Sequence, residues 1–321
     1  MGSIVAVAVL GSSLIGLAPA DARKKHKQPR SPPVITVSAS QSTSTEDELV
    51  TVTATCPAGL LAVGGGFLAP PIFAPLNEGG GADDYNLVYE SRRSGDSTWQ
   101  VSAARFDTAG PGPDLPVTAS VDCRSAKLGI KKRAKGRAAV AKKKTKKKLR
   151  ITEVSASSAT PPTTFSQATA TSRCPGRMRA LGGGFSSAPR PMIADLAEQL
   201  VSADYRSSPT TWTAAITNIG TAGRTVTSYA YCAARLKIVE SSVDTILPRV
   251  GQPTADSGSA TTPPCPKRTA LLGGGFSNSP ATVTGGIAIL TASNPANGDW
   301  QVGAWNYGIG QGTIGSRAYC A

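Results

Sequence analysis

The feature that most constrains this chain is a motif that occurs three times. Cys56-Pro57 is followed, eight residues after the cysteine, by Gly64-Gly65-Gly66-Phe67. Cys174-Pro175 precedes Gly182-Gly183-Gly184-Phe185 at the same distance, and Cys265-Pro266 precedes Gly273-Gly274-Gly275-Phe276. A tryptophan follows in each copy (Trp99, Trp212, Trp300), and each copy closes on a second cysteine (Cys123, Cys232, Cys320). The Trp-to-Cys distance is 20 residues in the second and third copies and 24 in the first. Recurrence at fixed spacing means one structural unit used three times.

Each unit reads as β-structure. Alternate residues from each Trp are apolar: Trp99, Val101, Ala103; Trp212, Ala214, Ile216; Trp300, Val302, Ala304. A period of two places those side chains on one face of a half-buried strand. Counting back by twos from the closing cysteines gives the same signature through Val121, Ala230 and Ala318. Each unit also opens on a β-prone stretch, at Ile35, Ile151 and Ile238. The pattern predicts about five strands per unit, with units at 31–125, 149–235 and 236–321. The expected fold class is all-β: three tandem small antiparallel units, each closed by one disulfide. The alternative is a pseudo-three-fold, β-prism-like assembly.

Aromatic residues make up only 5% of the chain, so the cores are small and need covalent staples. Six cysteines allow 15 connectivities. Repetition favours Cys56–Cys123, Cys174–Cys232 and Cys265–Cys320, each closing a loop of about 60 residues worth about 4 kcal/mol in the chain-entropy model. The N-terminus fits an oxidising compartment. Ile4 to Leu17 is apolar apart from Gly and Ser, and Ala20-Asp21-Ala22 offers a small-x-small cleavage site. This predicts a signal peptide over 1–22, although no Lys or Arg precedes the apolar run. A buried strand or helix is the alternative. No other segment reaches transmembrane length, so the expected mature protein is secreted, with cell-surface association as a finer possibility and no transmembrane segment.

The Gly-Gly-Gly-Phe element lacks the Lys-Ser/Thr of a phosphate-binding loop. Triple glycine in a strand pattern marks a bulge or a place where backbone meets a bulky group, here the Trp and the disulfide. The combination of Cys-Pro, Gly-Gly-Gly-Phe, Trp and a Tyr- or Val-containing strand ending in Cys resembles repeats of exported bacterial proteins of unknown function. The resemblance covers nearly the whole mature chain. It implies a secreted β-domain and no established activity. A weaker likeness, of architecture alone, is to three-fold β-prism proteins such as the vitelline membrane outer layer family. The insert between copies one and two argues against a tightly closed prism.

Charge is concentrated outside the repeats. Lys127 to Arg150 holds 13 Lys and Arg and no acid, and a second cluster (Arg23, Lys24, Lys25, Lys27, Arg30) follows the expected cleavage site. The tail (23–30) and the linker (126–148) are basic, whereas the three units outside Lys127–Arg150 are slightly acidic, near −3. No aromatic interrupts the linker, which removes base stacking and specific support for nucleic acid. A run of like charge extends by self-repulsion. Outside a cell its partners are anionic envelope polymers or anionic lipid head groups. The candidate polyanion-binding residues are Lys131, Lys132, Arg133, Lys142, Lys143, Lys144, Lys146, Lys147 and Lys148. The bland alternative is a solubilising spacer.

Chemistry is sparse. The single histidine, His26, lies in the basic tail, so the units assemble no Ser-His-Asp triad, Cys-His pair or His-rich zinc site. Carboxylates remain. Their clearest match across copies is Glu153 with Glu240, with Val37 assigned to that position in copy one. A longer loop in copy one carries Glu78, Gly79-Gly80-Gly81, Asp83 and Asp84; it reads as a solvated acidic turn in preference to a weak Ca²⁺ site. The expectation is a non-catalytic, cofactor-free extracellular binding protein. The alternative is an extracellular polysaccharide hydrolase using carboxylates.

Overall fold

The computed structural model describes residues 34–45, 48–73, 83–106, 113–126, 149–188, 199–234, 236–248, 257–279, 288–306 and 310–321. The regular elements are all strands. The first repeat forms β1 (Ile35–Thr43), β2 (Leu49–Thr55), β3 (Leu60–Leu68), the two-residue β4 (Ile72–Phe73), β5 (Asp83–Gly95), β6 (Thr98–Phe106) and β7 (Leu115–Ser125). The second forms β8 (Thr152–Ala159), β9 (Gln167–Arg173), β10 (Arg179–Ala188), β11 (Gln199–Ser208), β12 (Thr211–Asn218) and β13 (Thr225–Ala233). The third forms β14 (Val239–Leu247), β15 (Ser257–Thr261), β16 (Leu271–Asn278), β17 (Ala288–Ala296), β18 (Asp299–Asn306) and β19 (Gly312–Cys320).

The all-β, antiparallel class expected from the sequence is what forms, with six principal strands per repeat where five were expected. The extra strand is β2, β9 or β15. In β9 and β15 it is Thr-, Ser- and Ala-rich and turns only small residues such as Ala168, Ala170 and Ala260 inward, so apolar alternation is faint there, whereas β2 turns in Val50, Val52 and Ala54.

No repeat owns a sheet. The strand orders are β1-β7-β3-β17-β18-β15, β2-β6-β5-β10-β13-β8 and β14-β19-β16-β11-β12-β9. Each sheet is half one repeat and half another, so the three repeats close into a ring: the pseudo-three-fold alternative describes their arrangement. The halves meet at short seams, which pair Phe67 with Ser293, Phe185 with Ser91 and Phe276 with Asp204. The insert between the first and second repeats does not prevent closure. Leu149 N–H donates to Ala126 O at 2.6 Å, so the inserted segment leaves and re-enters the fold at one hydrogen-bonded neck.

The glycine triplets explain how three sheets come together. A β-carbon on Gly65, Gly183 or Gly274 would overlap the indole of its own repeat's Trp99, Trp212 or Trp300. One on Gly66, Gly184 or Gly275 would meet the carbonyl of Ser293, Ser91 or Asp204 across the seam. Around the axis, Gly64 lies against Leu272 and Gly273, and Gly182 faces the Val63 carbonyl. The phenylalanines that follow form a closed triad: Phe67, Phe185 and Phe276 meet edge-on, with centroids 6.0–6.5 Å apart. Mutual edge-to-face contact is the favoured geometry for three rings at one point.

The three disulfides are those expected, with Cα separations of 5.5–5.8 Å, and no described cysteine is free. Cys56 follows β2 and Cys123 lies on β7, strands of two different sheets. Each bridge therefore staples one sheet to the next within a single repeat. Three such bridges belong to an oxidising, extracellular type of environment. Among the described residues no helix is long and apolar enough to cross a membrane.

Candidate functional site: the seams and the basic pole

Ends of the prism differ. At one end lie the tight turns after each Cys-Pro, which repeat the same backbone bond: Leu60 N–H to Pro57 O, Met178 N–H to Pro175 O and Thr269 N–H to Pro266 O, at 3.0–3.1 Å. The axis is closed there by Val63, Leu181 and Leu272, one from each repeat, with Leu149 and Ala233. Val34, Ile151, Leu236 and Ile238 pack against this plug. The nine candidate polyanion-binding residues, Lys131 to Lys148, lie outside the described residues, as do residues 1–22, where a signal peptide is expected, and the basic tail at 23–30. Their attachment points are described: the linker joins at Ala126 and Leu149, and the tail's chain enters at Val34. Both basic runs are therefore anchored at this pole.

The described residues that flank the acidic loop of copy one, Phe73 and Asp83, pair with each other toward the opposite pole. Glu78 and the glycines after it lie outside the described residues. Asp84 is buried and receives Arg105 at 3.2 Å, so it serves a buried ion pair and not an open cation site. Among the described residues no group of three or more His, Cys, Asp or Glu side chains is placed to hold a metal ion.

The seams carry the buried polar chemistry. Each Trp donates its indole N–H to a residue at the seam: Trp99 to Ser91 Oγ at 3.0 Å, Trp300 to Ser293 Oγ at 3.1 Å and Trp212 to Asp204 Oδ1 at 2.5 Å. Two residues further along, the seam is tied by a tyrosine from the next repeat. Tyr231 Oη accepts from Arg93 N–H at 2.6 Å, and Tyr319 Oη accepts from Arg206 N–H at 2.7 Å. Each ring also meets the neighbouring Trp edge-on, Trp99–Tyr231 at 5.7 Å and Trp212–Tyr319 at 5.3 Å. At the third seam the tyrosine position is Asp122, and the donor position is Pro295, which has no N–H to give. Asp122 instead accepts from Thr36 at 2.7 Å, and its second oxygen has no hydrogen-bond partner.

Register corrects one sequence assignment. Glu153 lies opposite Tyr231 and Glu240 opposite Tyr319, whereas the residue opposite Asp122 is Thr36, not Val37. The Glu–Tyr cross-strand pair of two repeats is a Thr–Asp pair in the first. Glu240 is engaged by Arg206 at 3.3 Å. Burial pushes Asp204 up to about 8 against the opposing hydrogen bond from Trp212. Burial likewise raises Asp122 to about 6, opposed by Thr36. Both tyrosine hydroxyls are raised by burial, so they serve the seams as neutral acceptors.

On the outward side, Glu90 accepts from Ser102, Arg92 and Gln100 at 2.6–2.8 Å. Burial favours its neutral form, but these donors outweigh that and hold its carboxyl below the ordinary value. Arg92 crosses the seam over the Tyr229 ring at 5.3 Å, and Arg317 crosses the next over Tyr205 at 5.4 Å. These charged groups are consumed in joining repeats. No protein-family model matches this chain, and no curated protein matches it.

Proposed function

We propose that this is a secreted, non-catalytic binding protein in which the disulfide-stapled prism carries polycationic segments for adhesion to anionic polymers of a cell envelope, with anionic lipid head groups as the other surface of that charge. The observation that supports this reading is the neck at Ala126 and Leu149. A segment so densely basic is spliced into a closed ring whose ends on either side, Ala126 and Leu149, are themselves hydrogen-bonded. Counterion release then drives binding, with steep salt dependence and little preference among anions.

The test joins Ala126 directly to Leu149. The variant is expected to melt like the parent and to lose most of its retention on poly-L-glutamate resin at low ionic strength. Undiminished retention would refute adhesion by the linker. Absence of retention by the parent as well would reduce the segment to a spacer. Incubating the same protein with anionic polysaccharides, and assaying for new reducing ends, decides between this reading and that of a hydrolase.

A further inference from the structure

The turns at the basic pole are built alike but charged differently. After Cys-Pro the first repeat continues Ala58-Gly59-Leu60, the second Gly176-Arg177-Met178-Arg179, and the third Lys267-Arg268. The connectors into the second and third repeats share another pattern, Leu149-Arg150-Ile151 and Leu236-Lys237-Ile238. In each, the two apolar residues pack into or against the axial plug, while the cation between them is exposed. Arg177, Arg179 and Lys267 are exposed too. The second and third repeats thus supply the rim with cations that the first lacks in its turn, and the first repeat ends in the basic linker.

Acids do not balance this rim. Asp96 is held by Arg93 at 2.8 Å and Glu240 by Arg206, which leaves Asp299, Glu153 and the buried Asp122 near this end. Among the described residues, three of the four exposed large hydrophobics, Leu49, Leu68 and Ile246, lie toward the opposite pole. The fourth, Ile35, starts β1 at the basic pole, and the apolar plug beneath is covered, so the face offers its cations with a single exposed apolar side chain among them.

We infer that this folded pole is itself a binding face, in which Arg150, Arg177, Arg179, Lys237 and Lys267 take a linear polymer bearing closely spaced phosphate or carboxylate groups. The inference deepens the adhesion reading by giving it a rigid site beside the tether, and it fixes orientation: the pseudo-three-fold axis stands on the polymer and the opposite pole faces away.

The test uses long-chain inorganic polyphosphate, poly-L-glutamate and phosphatidylglycerol vesicles as probes. Four proteins are compared: the parent, the variant lacking 127–148, a variant with all five rim cations changed to Ser, and the combination. Circular dichroism and melting establish that each is folded, and exposed cations replaced by Ser leave the core untouched. The linker-deleted protein is expected to bind polyphosphate at low salt. Adding the five substitutions should weaken that binding by at least about tenfold and lower the salt slope by up to about one per charge removed. Binding by the linker-deleted protein that is unaltered by the five substitutions overturns the rim site. So does loss of all binding on linker deletion alone, a result that leaves adhesion by the tether standing. Binding of the linker-deleted protein to vesicles but to neither polymer overturns the assignment to a polymer.

Discussion

Two of the three seams are alike and the third is not. Where repeat one meets repeat two, and where repeat two meets repeat three, a buried tyrosine crosses over, packs on a tryptophan and accepts a backbone N–H. Where repeat three meets repeat one, an aspartate and a proline stand in those places. The first two seams join repeats that are also consecutive in the chain. The third joins the two ends of the sequence, with no covalent link to assist it, and it is the one that lacks the tyrosine tether. A near-symmetric ring therefore has one junction of different chemistry, and the ring is expected to open there first.

Substitutions at the glycines test whether close approach is what joins the halves. Gly184→Val drives a branched side chain into the Ser91 carbonyl at the first seam, and Gly66→Val does the same at Ser293 in the third. Each is expected to cost about 3 kcal/mol or more, because strand backbone cannot yield as a flexible side chain does. Melting of the oxidised proteins measures it, and a melting point equal to the parent's would remove the packing account of the triplet. Gly183→Val and Gly274→Val should fail similarly, for lack of room beside Trp212 and Trp300 and not through an unusual φ.

The buried acids make a distinction with pH. Asp204 and Asp122 have folded-state values raised above 3.8, to about 8 and about 6. A raised acid contributes its stability in full below its unfolded value and loses it as pH climbs through the folded one. Stability is therefore expected to fall between pH 4 and 6 through Asp122, and between pH 4 and 8 through Asp204. Asp204→Ser installs the residue that already serves Trp99 and Trp300. It should raise stability at pH 9 by an order of 2 kcal/mol and flatten the profile between pH 6 and 9. An unchanged profile would mean that Asp204 does not ionise in the folded protein over this range.

Removing the tyrosine hydroxyls asks how much the tether contributes. Tyr231→Phe and Tyr319→Phe keep the edge-on ring contact but leave the Arg93 or Arg206 N–H buried without that acceptor. Each should lower stability by about 1–2 kcal/mol. Native-state hydrogen exchange at residues 93 and 206 should accelerate before exchange elsewhere in β5 and β11. If neither amide responds, the third seam is not distinguished by the missing tether. The smallest expected change is that of deleting 127–148, which should shift stability by less than about 0.5 kcal/mol because the neck is already closed.

Much of this architecture was legible in the sequence. The repeat, the cysteine pairing, the Trp-led strands and the packing role of the glycines all follow from spacing and period. Closure into a ring was not, because each seam is carried by a short pairing such as Phe185 with Ser91, too brief to leave a periodic trace. The residue before each closing cysteine, Asp122, Tyr231 or Tyr319, was in plain view. Its meaning depends on Pro295, Arg93 or Arg206 in a neighbouring repeat, a pairing across space that one sequence does not show. The cations of the pole were hidden for a similar reason. Arg150, Arg179 and Lys267 are scattered along the chain, and only the common end of three strand bundles brings them together.

Sharing of every sheet between two repeats has a consequence for incomplete chains. A product ending near residue 235 retains two repeats but leaves β3 and β11 each without the neighbour that the third repeat supplies. Those two vacant edges belong to different ends of the same fragment. Each vacant edge presents unpaired backbone N–H and C=O groups to which a strand of another chain can add. Closure at a count of three thus hides two sheet edges that a two-repeat product exposes.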